Sequence, residues 1–241
     1  MKPLQHAQIS QKTYGGCWTD YVEVHNFLDS SKAACAHFKH RFLLHHAEGI
    51  ELGGRIFGAS FVNSENKIVE TRRLLTEHLI EDVGRVVSVE DWARDLLPKT
   101  NDSFYKFLAK KRGQIEADQV SGENELLGSF NLSEKDRAAV KNFLAFPLQN
   151  SKHPAALLVS HNSFAVYLAE KIFGYAFVKT IDSKRQMVAV REIFERLIFL
   201  RLKAVYSPAE IVARTATQEW MRGANANKAT EEKKRLALNQ S

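Results

Sequence analysis

The chain has 241 residues, of which 44% are apolar and 26% charged; this is the composition of an ordinary folded protein and excludes a disordered, collagen-like or disulfide-stapled chain. The net charge of +6 is uneven, since residues 1–120 carry 16 basic and 16 acidic side chains and residues 121–241 carry 18 and 12. The basic second half is therefore expected to face nucleic acid or an acidic protein partner. No run approaches the ~18 uncharged apolar residues of a membrane span, the opening MKPLQHAQIS has no apolar signal core, and Cys17 and Cys35 form neither a zinc ribbon nor a CxxC pair. A cytoplasmic protein without membrane contact is expected.

Residues 1–19 read as an irregular N-terminal arm broken at Gly15 and Gly16. A short helix is expected over 20–28. Asp29 or Ser30 then caps a long helix to Phe57, ended by Gly58, with Phe38, Phe42, His45, Gly49, Leu52 and Ile56 on one face at steps of three and four. Residues 60–69 read as a small hairpin or extended loop. A helix over 70–83 stops at Gly84, and Ser88-Val-Glu-Asp91 resembles a capping box opening another helix through Trp92. Residues 97–135 read as a basic helix around Phe104 to Arg112 and a polar linker, and residues 216–241 as a polar tail. Strand signals are few, so the class is mainly α.

The chain repeats itself. At an offset of 116, Val24, Asn26, Phe27 and Leu28 meet Val140, Asn142, Phe143 and Leu144, and His45 meets His161. Ile56-Phe57-Gly58 meets Ile172-Phe173-Gly174, and Phe61-Val62 meets Phe177-Val178. Three extra loop residues shift the offset to 119, after which Val69 meets Val188 and the capping box recurs as Ser207-Pro-Ala-Glu210. The expected architecture is two tandem, diverged copies (20–96 and 136–215) of a unit built from a long helix, a short hairpin or loop, and two helices.

Comparison of the copies separates scaffold from chemistry. The apolar frame persists, whereas His25, Asp29, His46, Glu48, Glu77, His78, Glu81 and Asp82 become Lys141, Ala145, Asn162, Phe164, Arg196, Leu197, Leu200 and Arg201. His45 and Glu48 lie at i and i+3 on one helix, as do His78 and Glu81 on another, so each pair shares a face. Packed together, such pairs converge on a divalent metal, and imidazole plus carboxylate suits Zn, Fe or Mn. His45, Glu48, His78 and Glu81 are thus the candidate ligands. His46 and Asp82 are candidate catalytic groups, Arg41 is the candidate anchor for an anionic substrate, and metal-activated water would be the nucleophile. The plainer reading makes these buried histidines and solvated charges.

Residues 6–96 carry His6, Gly15-Gly16, Asp20-Tyr21, His25, Asp29, His40-Arg41, an HHAEG stretch (His45 to Gly49) and an EHxxED stretch (Glu77 to Asp82). In these the segment resembles an uncharacterised bacterial and phage family catalogued as a domain of unknown function. The resemblance implies that His6, His25, His40, Arg41, His45, His46, Glu48, Glu77, His78, Glu81 and Asp82 belong to one motif, and it brings no activity. No glycine-rich phosphate loop, GxSxG, HExxH or adjacent His-Asp pair occurs. Phe104-Tyr-Lys-Phe107 with Lys110, Lys111 and Arg112 mixes aromatic and basic residues as single-strand nucleic-acid surfaces do. Lys106, Lys110, Lys111, Arg112, Lys184, Arg185, Arg201 and Lys203 are the candidate nucleic-acid contacts. Two functions are therefore expected: a metal-binding helical protein acting as a hydrolase with a structural pseudo-copy, or a non-catalytic adaptor in a nucleic-acid-associated or phage/defence assembly. Reversed charges between the copies also permit self-association.

Overall fold

The computed structural model describes residues 2–98, 102–181 and 184–223, the side chains of 179–181 and 184–186 excepted. The mainly helical class holds: among these residues the only sheets are two two-stranded hairpins. Residues 2–88 with 216–223 form one compact unit and the described residues of 89–215 a second.

The first unit opens with α1 (Pro3–Tyr14), which has proline at its first turn. This corrects the irregular arm. The inward positions of α1 are His6, Ala7 and Ser10, a polar and small stripe that leaves no hydrophobic period to read. After Gly15 and Gly16, both at positive φ, a 3-10 turn (Trp18–Asp20) leads into α2 (Val22–Asp29). The single long helix expected over 29–57 does not form. Two 3-10 turns, Ser30–Ala33 and Phe38–Leu43, precede α3 (Ala47–Phe57). A 3-10 turn keeps the i, i+3 apolar step, so the period persists while the helix is interrupted. Histidine side chains make the interruption: His37 Nδ1 accepts from the Lys39 N–H at 3.1 Å, and His46 Nδ1 accepts from the Gly49 N–H at 3.1 Å. Glycine is required at position 49, where a Cβ would lie 1.9 Å from the Leu44 carbonyl oxygen. The expected hairpin is β1 (Ser60–Val62) paired antiparallel with β2 (Ile68–Glu70), and α4 (Thr71–Val83) ends at left-handed Gly84. Leu28, Phe42, Leu52, Leu74, Leu75 and Leu79 fill the core. The segment expected as a polar tail joins this unit through residue 223. Met221, in a 3-10 turn (Glu219–Arg222), is buried, and the Lys39 ammonium donates to the Ala216 carbonyl. The rest of the tail lies outside the described residues.

The second unit comprises α5 (Val89–Leu96), with Trp92 buried, α6 (Ser103–Glu116), α7 (Glu123–Ser129) and α8 (Glu134–Asn150). A 3-10 turn (Pro154–Ala156) and α9 (Leu157–Ser160) lead to α10 (Ser163–Phe173). The hairpin β3 (Ala176–Ile181) and β4 (Lys184–Ala189), then α11 (Val190–Leu202) and α12 (Pro208–Arg214), complete it. The linker expected before residue 135 thus contains α7, whose inward residues include the charged Glu123 and which for that reason has a weak apolar period. The rings of Phe143, Phe173 and Phe194 meet with centroids 5.3–5.9 Å apart.

Within each unit the local plan matches the sequence offsets. α3 and α10 each span 11 residues, and their N-caps His46 and Asn162 share one backbone geometry (φ −155°, ψ 168° and φ −151°, ψ 170°). α4 and α11 each span 13. Phe61 pairs with Val69 as Phe177 pairs with Val188, so hairpin register survives the longer loop. The Ala47 N–H donates to the Val87 carbonyl at 2.8 Å, as Ser163 does to Tyr206 at 2.9 Å. Ser207 and Glu210 form the expected reciprocal cap.

Candidate metal centre

The first unit buries an unusual set of polar groups. His6 comes from the inward stripe of α1, His25 and Asp29 from α2, His45 from the turn before α3, and His78 and Asp82 from successive turns of α4; none is more than 4% exposed. Asp82 is the hub. Its Oδ2 accepts from Arg41 Nε at 3.2 Å and Nη2 at 3.0 Å, and lies 3.4 Å from His45 Nε2 and 4.0 Å from His78 Nε2. Its Oδ1 lies 3.3 Å from His6 Nε2. The Asp29 carboxylate stands 3.6 Å from His45 Nε2 and pairs with the Lys32 ammonium at 2.7 Å. His25 Nδ1 faces His78 Nδ1 at 2.9 Å, and its Nε2 faces Ser10 Oγ at 2.9 Å. The His6 ring stacks on His78 with centroids 3.8 Å apart, and its Nδ1 pairs with Glu81. His78 Nε2 is buried and makes no hydrogen bond.

The electrostatics favour ligation. Burial pushes the His45 and His78 imidazoles down in pKa and lowers His25 to about 3, so these rings are neutral with lone pairs available. Burial also pushes the Asp82 carboxyl up, but hydrogen bonds from His45 and His6 and the Arg41 charge overcome this and hold it far below the carboxylate range. Burial lowers His6 while Asp82 and Glu81 raise it, and the acids prevail. Neutral His25, His45 and His78 beside the ionised Asp82 are the protonation states a metal requires, whereas His6, favoured in its protonated form by the acids, must give up that proton to become a ligand.

Asp29, His45, His78 and Asp82 each place a donor atom within 4.8 Å of all the others, and His6, His25 and His78 form a second such group. Bonds of about 2.1 Å set adjacent ligand atoms roughly 3–3.4 Å apart, so the donors must draw together, by about 0.6 Å or more for His78 and Asp82, to close a coordination shell. Of the candidate ligands, His45 and His78 meet here, together with Asp82. Glu48 does not: its carboxylate sits 3.1 Å from His46 Nδ1 at the start of α3. Glu81 pairs with His6 at the edge, its side chain one quarter exposed. His46 is a cap, its Nε2 donating to the Leu43 carbonyl at 3.1 Å. Arg41 holds Asp82 and the carbonyls of Met221 and Arg222. Asp29 and His25 are signalled in the sequence by the Ala145 and Lys141 at an offset of 116, whereas His6 is signalled by the family resemblance alone.

At the corresponding positions the second unit has Ala145, His161, Leu197 and Arg201. Arg201 donates bidentately to Glu123 (2.9 and 2.6 Å) and through Nη1 to His161 Nε2 at 3.2 Å. As a buried ion-pair partner, Arg201 is no nucleic-acid contact. Neither is Arg112, which is buried and donates to Glu116 and to the carbonyls of Leu148, Ser151 and His153. Lys106, Lys110 and Lys203 are exposed. Lys111, 5.9 Å from the Phe107 ring, has its pKa lowered by burial and then by the charges of Lys203 and Lys110, which places these three ammonium groups in one patch. Lys184 and Arg185 lie in β4, their side chains outside the described set.

Among the described residues no helix is long and apolar enough to cross a membrane. Comparison with curated proteins and with solved structures returns no match. Residues 1–101, which contain every residue of the cluster, match the model of a family described as a domain of unknown function (DUF6915).

Proposed function

We propose that the first unit is a metal-binding helical module in which Asp29, His45, His78 and Asp82 hold one divalent ion (Zn, Fe or Mn), and that residues 136–215 are a diverged duplicate of residues 20–96, whose last helix, α5, packs in the second unit. The observation that carries this is the convergence of four buried donor atoms from three separate elements within 4.8 Å. The unpartnered His78 Nε2 supports it, because a buried nitrogen without a hydrogen bond costs about 1–3 kcal/mol that a metal would remove. The second unit supports it too: where the ligands are lost, a permanent cation, the Arg201 guanidinium, rests against the retained histidine. Burial of all four donors favours a closed, fold-holding ion. Hydrolysis of an anionic substrate would need an open ligand position and an Arg41 not engaged by Asp82.

Elemental analysis of the purified chain, with reloading after chelation, tests the reading. At least one equivalent of Zn, Fe or Mn per chain is expected. A chain that carries no ion and takes up none of the three would overturn it. The adaptor reading is favoured by a separate observation, the basic patch of the second unit formed by exposed Lys110 and Lys203 around half-buried Lys111.

A further inference from the structure

We infer that the cluster has two metal positions and not one, the second formed by His6, His25 and His78; this rests on the metal-binding reading above and extends it. His78 faces two ways. Its Nε2 points toward Asp82 Oδ2 at 4.0 Å, on the side of Asp29 and His45, while its Nδ1 meets His25 Nδ1 at 2.9 Å. Asp82 is divided in the same manner, with Oδ2 toward His45 and Oδ1 toward His6 Nε2 at 3.3 Å. A ring and a carboxylate that each present opposite atoms to two donor groups are bridging ligands in form. The three rings of the second position each offer a nitrogen within 4.8 Å of the others, and all are buried.

The two positions differ in chemistry. The first has two carboxylates and two imidazoles, a set that accepts Mn, Fe or Zn. The second has three imidazoles and, from the shared Asp82, a single carboxylate oxygen, a set that suits Zn, Ni or Cu and disfavours Mn. They also differ in strength. Asp29, Asp82 and Glu81 stand against Lys32 and Arg41, which leaves one negative charge when the histidines are neutral. A first divalent ion makes the cluster net positive by one, so the second enters against repulsion in a low-dielectric interior and binds more weakly. When both are bound, His78 is an imidazolate, and its remaining N–H proton passes to the buffer.

The test is a titration of the chelated full-length chain with Zn2+, followed by equilibrium dialysis and elemental analysis, with Mn2+ in parallel. Two Zn2+ per chain bound in two steps, against one Mn2+, is the expected result. His25→Asn should reduce Zn2+ from two to one and leave the tighter step. Asp29→Asn should weaken the tighter step. A wild-type stoichiometry that saturates at one Zn2+ overturns the second position and leaves the metal-binding reading intact. No uptake of either ion overturns both. Should His25→Asn fail to fold, as read by circular dichroism, the wild-type Zn2+ and Mn2+ stoichiometries alone decide the matter.

Discussion

His78 and Leu197 occupy corresponding places in α4 and α11, and both are fully buried. One is read as a ligand and the other as a core filler, so their truncations should diverge. His78→Ala should abolish tight metal uptake in a chain that still folds. Leu197→Ala should leave metal content unchanged and cost about 2–5 kcal/mol through the cavity it opens, measured by urea unfolding. Full metal occupancy in His78→Ala would contradict its role. His161 gives a pH prediction in the second unit. Burial first, and then the Arg201 charge, push its pKa well below the ordinary 6.5. The unfolded chain thus takes up a proton near pH 6.5 that the folded chain refuses. Stability is fully present above that value and falls as pH is lowered, by about 1.4 kcal/mol per pH unit for each such histidine. Urea midpoints of chelated protein should fall from pH 7.5 to 5. His161→Gln, which does not titrate, should flatten part of that slope; an unchanged slope would refute the neutral, buried assignment.

At the scale of the element, the start of α3 distinguishes a cap from a ligand. His46 Nδ1 accepts from the Gly49 N–H, and Asn162 does the same work at the start of α10, its Oδ1 accepting from the N–H groups of Phe164 and Ala165. His46→Ala should cost about 0.5–2 kcal/mol as a lost cap. His46→Asn should recover most of that, and neither change should alter metal content. Loss of metal in His46→Asn would return His46 to the ligand set. The same element shows why residues 29–57 read as one long helix in the sequence. Histidine is an uncommon cap, and 3-10 turns keep the spacing of three that marks an amphipathic helix. Helix α1 is illegible for the opposite reason, since its buried face is His6, Ala7 and Ser10 and carries no hydrophobic signal.

At the scale of the whole molecule the two units should respond differently to chelation. An ion bound only by the folded state stabilises it by about 2.7 kcal/mol at a hundredfold excess over its Kd. Because the donors all lie in the first unit, EDTA should expose residues 1–88 to proteolysis before residues 89–215. Simultaneous cleavage of both would contradict a metal confined to the first unit. If the basic surface binds single-stranded nucleic acid, charge reversal at Lys106, Lys110, Lys111 and Lys203 should weaken binding and reduce its salt dependence, by about 0.7 in log–log slope for each phosphate that is no longer neutralised. Binding unaffected by these reversals would remove the patch as the nucleic-acid surface. Arg112 and Arg201 are unsuitable probes, because reversing either leaves buried partners unsatisfied.

The sequence by itself determined the helical class, a hairpin or extended loop at 60–69, the glycine stops, the capping box at Ser207 and the offsets that relate the two halves. These are local properties, set by periodicity, turn chemistry and backbone sterics, and they are written in neighbouring residues. It also marked Asp29, His78 and Asp82 as a departure from the second half, and His45, which the second half keeps as His161, by its spacing from Glu48. The tertiary structure alone decided which polar groups meet. His6 and Asp82 lie 76 positions apart, and no local rule relates them; their approach to 3.3 Å exists because α1 and α4 each turn a polar face inward. It likewise separated Glu48 from His45 despite their spacing of three. That spacing defines a shared face only within one continuous helix, and the chain breaks between them at the His46 cap.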